Sequence, residues 1–89
     1  MSDSTVRCWL VERTVDDRNL VTLVYATPDG SRYQRRERNA NALRAGSAPT
    51  AAVPIDTGDL QPVDDPETRE RYAAEADRTA ERYEPDEAI

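Results

Sequence analysis

Arginine supplies all the basic side chains in this sequence, and it is concentrated in one place. Arg32, Arg35, Arg36, Arg38 and Arg44 fall within residues 31–44, beside a single acid, Glu37. A guanidinium is a planar, permanently charged fork that can grip a carboxylate or phosphate through two parallel hydrogen bonds. Such a cluster points to recognition of an anion rather than to the making of bonds. Cys8 is the only thiol, and apart from Arg7 it has no sequence neighbour that would lower its pKa, so it reads as a small packing residue. Asp56, Asp59, Asp64 and Asp65 lack the alternating spacing and terminal Glu of a calcium loop. They read as solvated carboxylates, and no metal site is assigned to them.

What is missing is equally informative. The 89 residues carry 12 basic side chains and 18 acids, with no His, no Lys and one Cys. A Ser-His-Asp or Cys-His relay, a Schiff-base lysine, a P-loop and a Cys/His zinc centre are therefore excluded, as is a disulfide framework within one chain. Ile55-Asp56-Thr57-Gly58 resembles the active-site tripeptide of aspartic proteases, whose chemistry needs two such aspartates sharing a proton across a dimer axis. The resemblance covers only those residues. No flap hairpin or later apolar-Gly strand follows, and Asp-Thr-Gly is also what a turn looks like. The expectation is a non-catalytic protein with no cofactor and no small-molecule substrate.

Composition adds a setting. The net charge is −6, Lys is absent, and Leu, Ile, Val and Phe together make 14 of the 89 residues. This resembles the protein style of extreme halophiles, in which exposed carboxylates hold water and cations. In molar salt the Debye length is roughly 3 Å, so crowded like charges repel weakly. The charge is also divided along the chain. Residues 1–50 carry 8 Arg against 6 acids, whereas residues 51–89 carry 4 Arg against 12 acids. The polar start and the lack of a long apolar run predict a cytoplasmic protein with no membrane segment.

The elements that must position the arginines follow from local signals. Val6–Val15, Leu20–Thr27 and Ser31–Arg38 are rich in strand formers and separated by Asp16-Asp17-Arg18-Asn19 and Pro28-Asp29-Gly30. Asn19 and Gly30 suit the left-handed position of a hairpin turn. Asp65-Pro66 is an N-cap followed by proline at the first helical position, and Tyr72, Ala76, Ala80 and Tyr83 make one stripe before Pro85. The pattern predicts a single small α+β domain over residues 1–89. A three-stranded antiparallel β-meander (about 6–15, 20–27, 31–38) packs against one C-terminal α-helix (about 66–84), after a crossover at 46–64. Residues 40–45 are read as a helical turn ended by Gly46, and Val53–Val63 as an extended surface crossover, or as one that adds a short edge strand at Val53–Ile55.

Pairing Thr27 with Ser31, and Asp16 with Leu20, divides the side chains between two faces. Trp9, Val11, Val15, Val21, Leu23, Tyr25 and Tyr33 form the expected core beneath the helix, which also accounts for aromatics that could otherwise stack on bases. The opposite face receives Leu20, Val24, Arg32, Gln34, Arg36 and Arg38 among others. A face mixing aliphatics with an arginine row is expected to meet a partner. These six are the candidate partner-binding residues, for an acidic protein partner or a second copy of the chain. Nucleic-acid binding through the same arginines is the alternative, weakened by salt and by the acidic second half.

Overall fold

Both turns form where their residues dictate. The computed structural model describes residues 4–39 and 49–89. Asp16 accepts the N–H groups of Arg18 and Leu20 on its carboxylate, and Asn19 adopts φ 61°, closing β1 (Thr5–Val15) onto β2 (Leu20–Ala26). At the second turn Gly30 takes φ 73°. The Asp29 carboxylate accepts the Ser31 N–H and the Thr27 and Ser31 hydroxyls, which hold its pKa down at about 2. Because Asp29 claims Ser31, the hairpin closes one residue later than expected, with the Thr27 N–H donating to the Arg32 carbonyl. In β3 (Arg32–Asn39) Tyr33 therefore stands opposite Ala26, and Gln34 opposite Tyr25. That slip exchanges the faces of every β3 side chain relative to β2.

The sheet has five strands rather than three. β4 (Ala52–Asp56) pairs with the start of β1, and the two-residue β5 (Gln61–Pro62) pairs with the start of β3, giving the antiparallel order β4-β1-β2-β3-β5. The meander of β1, β2 and β3 persists as its middle. Leu60, in the link between β4 and β5, packs with Val6, Cys8, Leu10, Tyr25, Val53 and Ile55 in one apolar cluster. The segment read as a helical turn, 40–45, lies outside the described residues.

Helix α1 (Pro66–Arg82) starts as its sequence requires, with Asp65 accepting the Thr68 N–H. It packs on the face opposite to the one expected. Tyr72 buries against Val24, Ala26 and Val63, while Ala76 meets Trp9, Ala51 and Ala52. Val21, Leu23 and Tyr25 are buried on the other side of the sheet. Trp9 reaches the helix because β1 carries a bulge between Leu10 and Glu12, so that Leu10 pairs with Tyr25 and Trp9 with Ala26. The helix secures this irregularity: buried Thr79 donates its hydroxyl to the Leu10 carbonyl at 2.9 Å and lies equally close to the Glu75 carbonyl of its own preceding turn. Beyond Arg82 the tail turns back beside β4. The Ala52 N–H donates to the Pro85 carbonyl, the Ala51 N–H to Glu87 and the Ile89 N–H to Pro49.

Gly30 is where helix and hairpin touch. A Cβ there would come within 2.7 Å of the Ala73 backbone nitrogen and closer still to the Arg69 carbonyl oxygen. Gly30→Ala should therefore cost about 2–4 kcal/mol, combining overpacking with an unfavourable positive φ. Asn19→Gly, at an exposed turn of the same hand, should be near neutral, and the two denaturation midpoints in fixed salt give the comparison. Thr79→Val leaves the buried Leu10 carbonyl without its donor at nearly constant volume. The expected loss is about 1–3 kcal/mol, read from the same unfolding curves.

Candidate functional site

The corrected registers assemble the basic side chains differently from the sequence expectation. Along the face away from the helix, the ladder runs Leu10–Tyr25–Gln34, then Arg13–Leu23–Arg36, then Val15–Val21–Arg38. Arginines from β1 and β3 thus flank the apolar side chains of β2, with the Cα atoms of Arg13 and Arg36 about 10 Å apart across two strand spacings. Arg32 continues the same alternation at the start of β3.

Of the six predicted residues, Arg32, Gln34, Arg36 and Arg38 do share this face. Leu20 and Val24 do not: they belong to the helix side, and Val24 is only 2% exposed beneath Tyr72 and Val63. The reason is the one-residue slip at Ser31, which carried β3 to the side of Val21, Leu23 and Tyr25. Arg13 was not among the predicted residues, although the first turn already set it opposite Leu23. An arginine between Val11 and Val15 was the available signal that this side was not a core beneath a helix. Arg44 lies outside the described residues.

The cluster has a definite electrostatic character. The Arg36 guanidinium lies over the Tyr25 ring, 5.5 Å from its centroid, and its Nε donates to Gln34 Oε1 at 2.7 Å. Tyr25 is buried and donates its hydroxyl to the Thr50 carbonyl at 2.9 Å. Burial raises the pKa of this phenol, against the opposing charges of Arg36, Arg38 and Arg13. Arg13 donates to the Ile89 carbonyl oxygen, and Arg38 to the carbonyl of Glu37.

Ion pairs run elsewhere. Among the described residues they join Arg18 to Asp16, Arg71 to Glu12 and Arg78 to Glu75. None of them reaches Arg13, Arg32, Arg35, Arg36 or Arg38. Helix α1, with five acids and four arginines, lies across the sheet from the arginine row, and its Arg71 meets Glu12 on that side. Among the described residues no Asp or Glu side chain of the second half pairs with the row, and the Ile89 main-chain oxygen reaches it only at Arg13.

The other candidate residues have structural occupations. Asp56 caps a 3₁₀ turn at Thr57–Asp59 by accepting the Gly58 N–H, so Asp-Thr-Gly is a turn here. Asp65 caps the helix, while Asp59 and Asp64 face solvent. Among the described residues, no group of His, Cys, Asp or Glu side chains is arranged to hold a metal ion. No helix among them is long and apolar enough to cross a membrane. The aromatics do not form a common platform: Trp9 and Tyr25 are buried on opposite sides of the sheet, and Tyr33 meets Tyr72 of the helix at 6.2 Å between ring centroids. Cys8 is completely buried, and burial raises its pKa against the opposing charge of Arg36. Its thiol should react with a disulfide reagent at least about a hundredfold more slowly in the native protein than in denaturant. Equal rates would show that the sheet interior opens readily.

With this geometry in view, comparison with known proteins places the chain in one family. A model described as "Family of unknown function (DUF7967)" matches residues 1–89, and the chain belongs to that family. No curated protein and no solved structure matches it.

Proposed function

We propose that this member of the family is a non-catalytic interaction module that docks an acidic protein partner against the arginine face formed by Arg13, Arg32, Arg36 and Arg38. The observation that carries the reading is that Arg32, Arg36 and Arg38 have no acidic side-chain partner among the described residues, although acids outnumber bases by 18 to 12; Arg13 beside them is met by the main-chain oxygen of Ile89. Unpaired guanidiniums on a rigid sheet offer carboxylates a preorganised set of bidentate donors. In a cytoplasm of halophile type most protein surfaces are acidic, which gives such a face abundant complementary partners and makes charge geometry the source of specificity.

The five acids of a second copy's helix are matched by four arginines, and that helix sits on the far side of each protomer. Such contacts would be head-to-tail and would not close into a two-fold dimer. A separate acidic partner fits without that difficulty. Nucleic-acid binding draws on the same cations but lacks exposed aromatics to sustain it in high salt, with Trp9 and Tyr25 both buried.

The reading is tested with polyglutamate as the acidic probe, by titration calorimetry at about 0.15 M and about 2 M salt. The Arg36→Glu/Arg38→Glu variant should bind at least about tenfold more weakly, since each bidentate contact to a charge contributes on the order of 1.5–3 kcal/mol. Equal binding by native and variant protein would overturn the assignment. So would tighter binding of a mixed-sequence single-stranded oligonucleotide than of polyglutamate.

A further inference from the structure

The arginine row borders a stretch of open sheet edge, and the backbone there shows how a partner can add to it. β5 covers only the start of β3: Gln61 stands opposite Tyr33, and the Val63 N–H donates to the Ser31 carbonyl. The outward-directed backbone groups of β3 therefore belong to odd-numbered residues, since the even series is turned toward β2, as the Thr27–Arg32 bond shows. After Ser31 and Tyr33 the next in the series are Arg35 and Glu37. The 3₁₀ turn at Thr57–Asp59 diverts the chain before it can cover them. Among the described residues no backbone group pairs with Arg35 or Glu37 on this side. The Glu37 carbonyl is met only by the exposed side chain of Arg38, at 3.1 Å.

We infer that an extended acidic segment of the partner adds antiparallel, like every other strand of this sheet, as a sixth strand along β3 at Arg35–Glu37, with its carboxylates on the side of Arg36 and Arg38. The inference rests on the docking reading above and specifies its mode. Backbone pairing supplies the register, and alternate side chains supply the selectivity. On one side of an added strand, side chains lie beside Gln34, Arg36 and Arg38. On the other they lie beside Arg35, next to a cleft of about 250 Å³ between Tyr33, Val63, Thr68 and Tyr72. Asp64 and Asp65 line that cleft together with Arg35, and its wall of Val63, Pro62 and the Tyr33 and Tyr72 rings suits an apolar side chain. The favoured segment therefore alternates acidic and apolar residues. A second copy adding its own β3 antiparallel at this edge, centred on Arg36, would set Arg36 against its counterpart and bring both copies' Arg38 onto the same face. Like charges at an edge guard against that pairing.

A synthetic peptide of four Glu-Val repeats with blocked ends tests this on the full chain. In the inferred register the valines stand opposite Arg35 and Glu37 and exchange hydrogen bonds with them, while the glutamate N–H groups point away. N-methylation of the valines should weaken binding at least tenfold, whereas N-methylation of the glutamates should leave it within about twofold. Amide exchange at Arg35 and Glu37 should slow in the presence of the unmodified peptide. Equal binding of all three peptides, lost in Arg36→Glu/Arg38→Glu and without protection at Arg35 and Glu37, would overturn strand addition and leave charge-based docking standing. Failure of the unmodified peptide to bind in low and in molar salt would remove both.

Discussion

Five peptide links separate Asp56 from Gln61, and these residues lie on opposite edges of the same sheet. Were the sheet flat, four strand spacings and the offset along β4 would set them about 23 Å apart, whereas five extended residues reach at most about 18 Å. The link also spends part of its length on a 3₁₀ turn. The sheet must therefore curl, bringing Val53, Ile55 and Leu60 over Cys8, Leu10 and Tyr25. That curl buries one face of the strands without help from the helix. Cys8 is 0% and Tyr25 1% exposed in a chain with few large aliphatics.

Because the curl serves one face, the helix is free to serve the other. It lies close there because Ala76 is small between buried Tyr72 and Thr79, and because Gly30 presents no side chain to Arg69 and Ala73. Beyond the ends of β4 and β5, β1, β2 and β3 continue as a three-stranded extension, and Arg13, Arg36 and Arg38 stand on it. The sheet thus separates the arginine-bearing side from the five acids and four arginines of the helix. The proposed docking draws on that separation, which keeps Arg36 and Arg38 away from the carboxylates of the helix.

Local chemistry was legible in the sequence where one residue type decides the geometry. Asp65-Pro66 set the helix start, Asn19 and Gly30 set two left-handed turn positions, and the α+β class followed. What escaped was decided by contacts distant in sequence or by competition within a turn. Asp29 can hold Ser31 in the loop or leave it to the strand, and that choice fixes the faces of Tyr33, Gln34, Arg36 and Arg38. The bulge that carries Trp9 to the helix depends on Thr79, which accompanies Leu10 only after folding. β5 is two residues long and leaves no periodic trace. Arg13 was the exception: its place opposite Leu23 was readable, and it argued against a helix on that side.

The helix covers the face of Val24 and Ala26 and leaves the face of Arg13, Arg36 and Arg38 uncovered by it. A nuclear Overhauser spectrum of the labelled protein in high salt tests this most directly. The Tyr72 ring should show cross-peaks to the methyl groups of Val24 and Ala26, and none to those of Val21 or Leu23. The reverse pattern would set the helix against the arginine row and contradict the account.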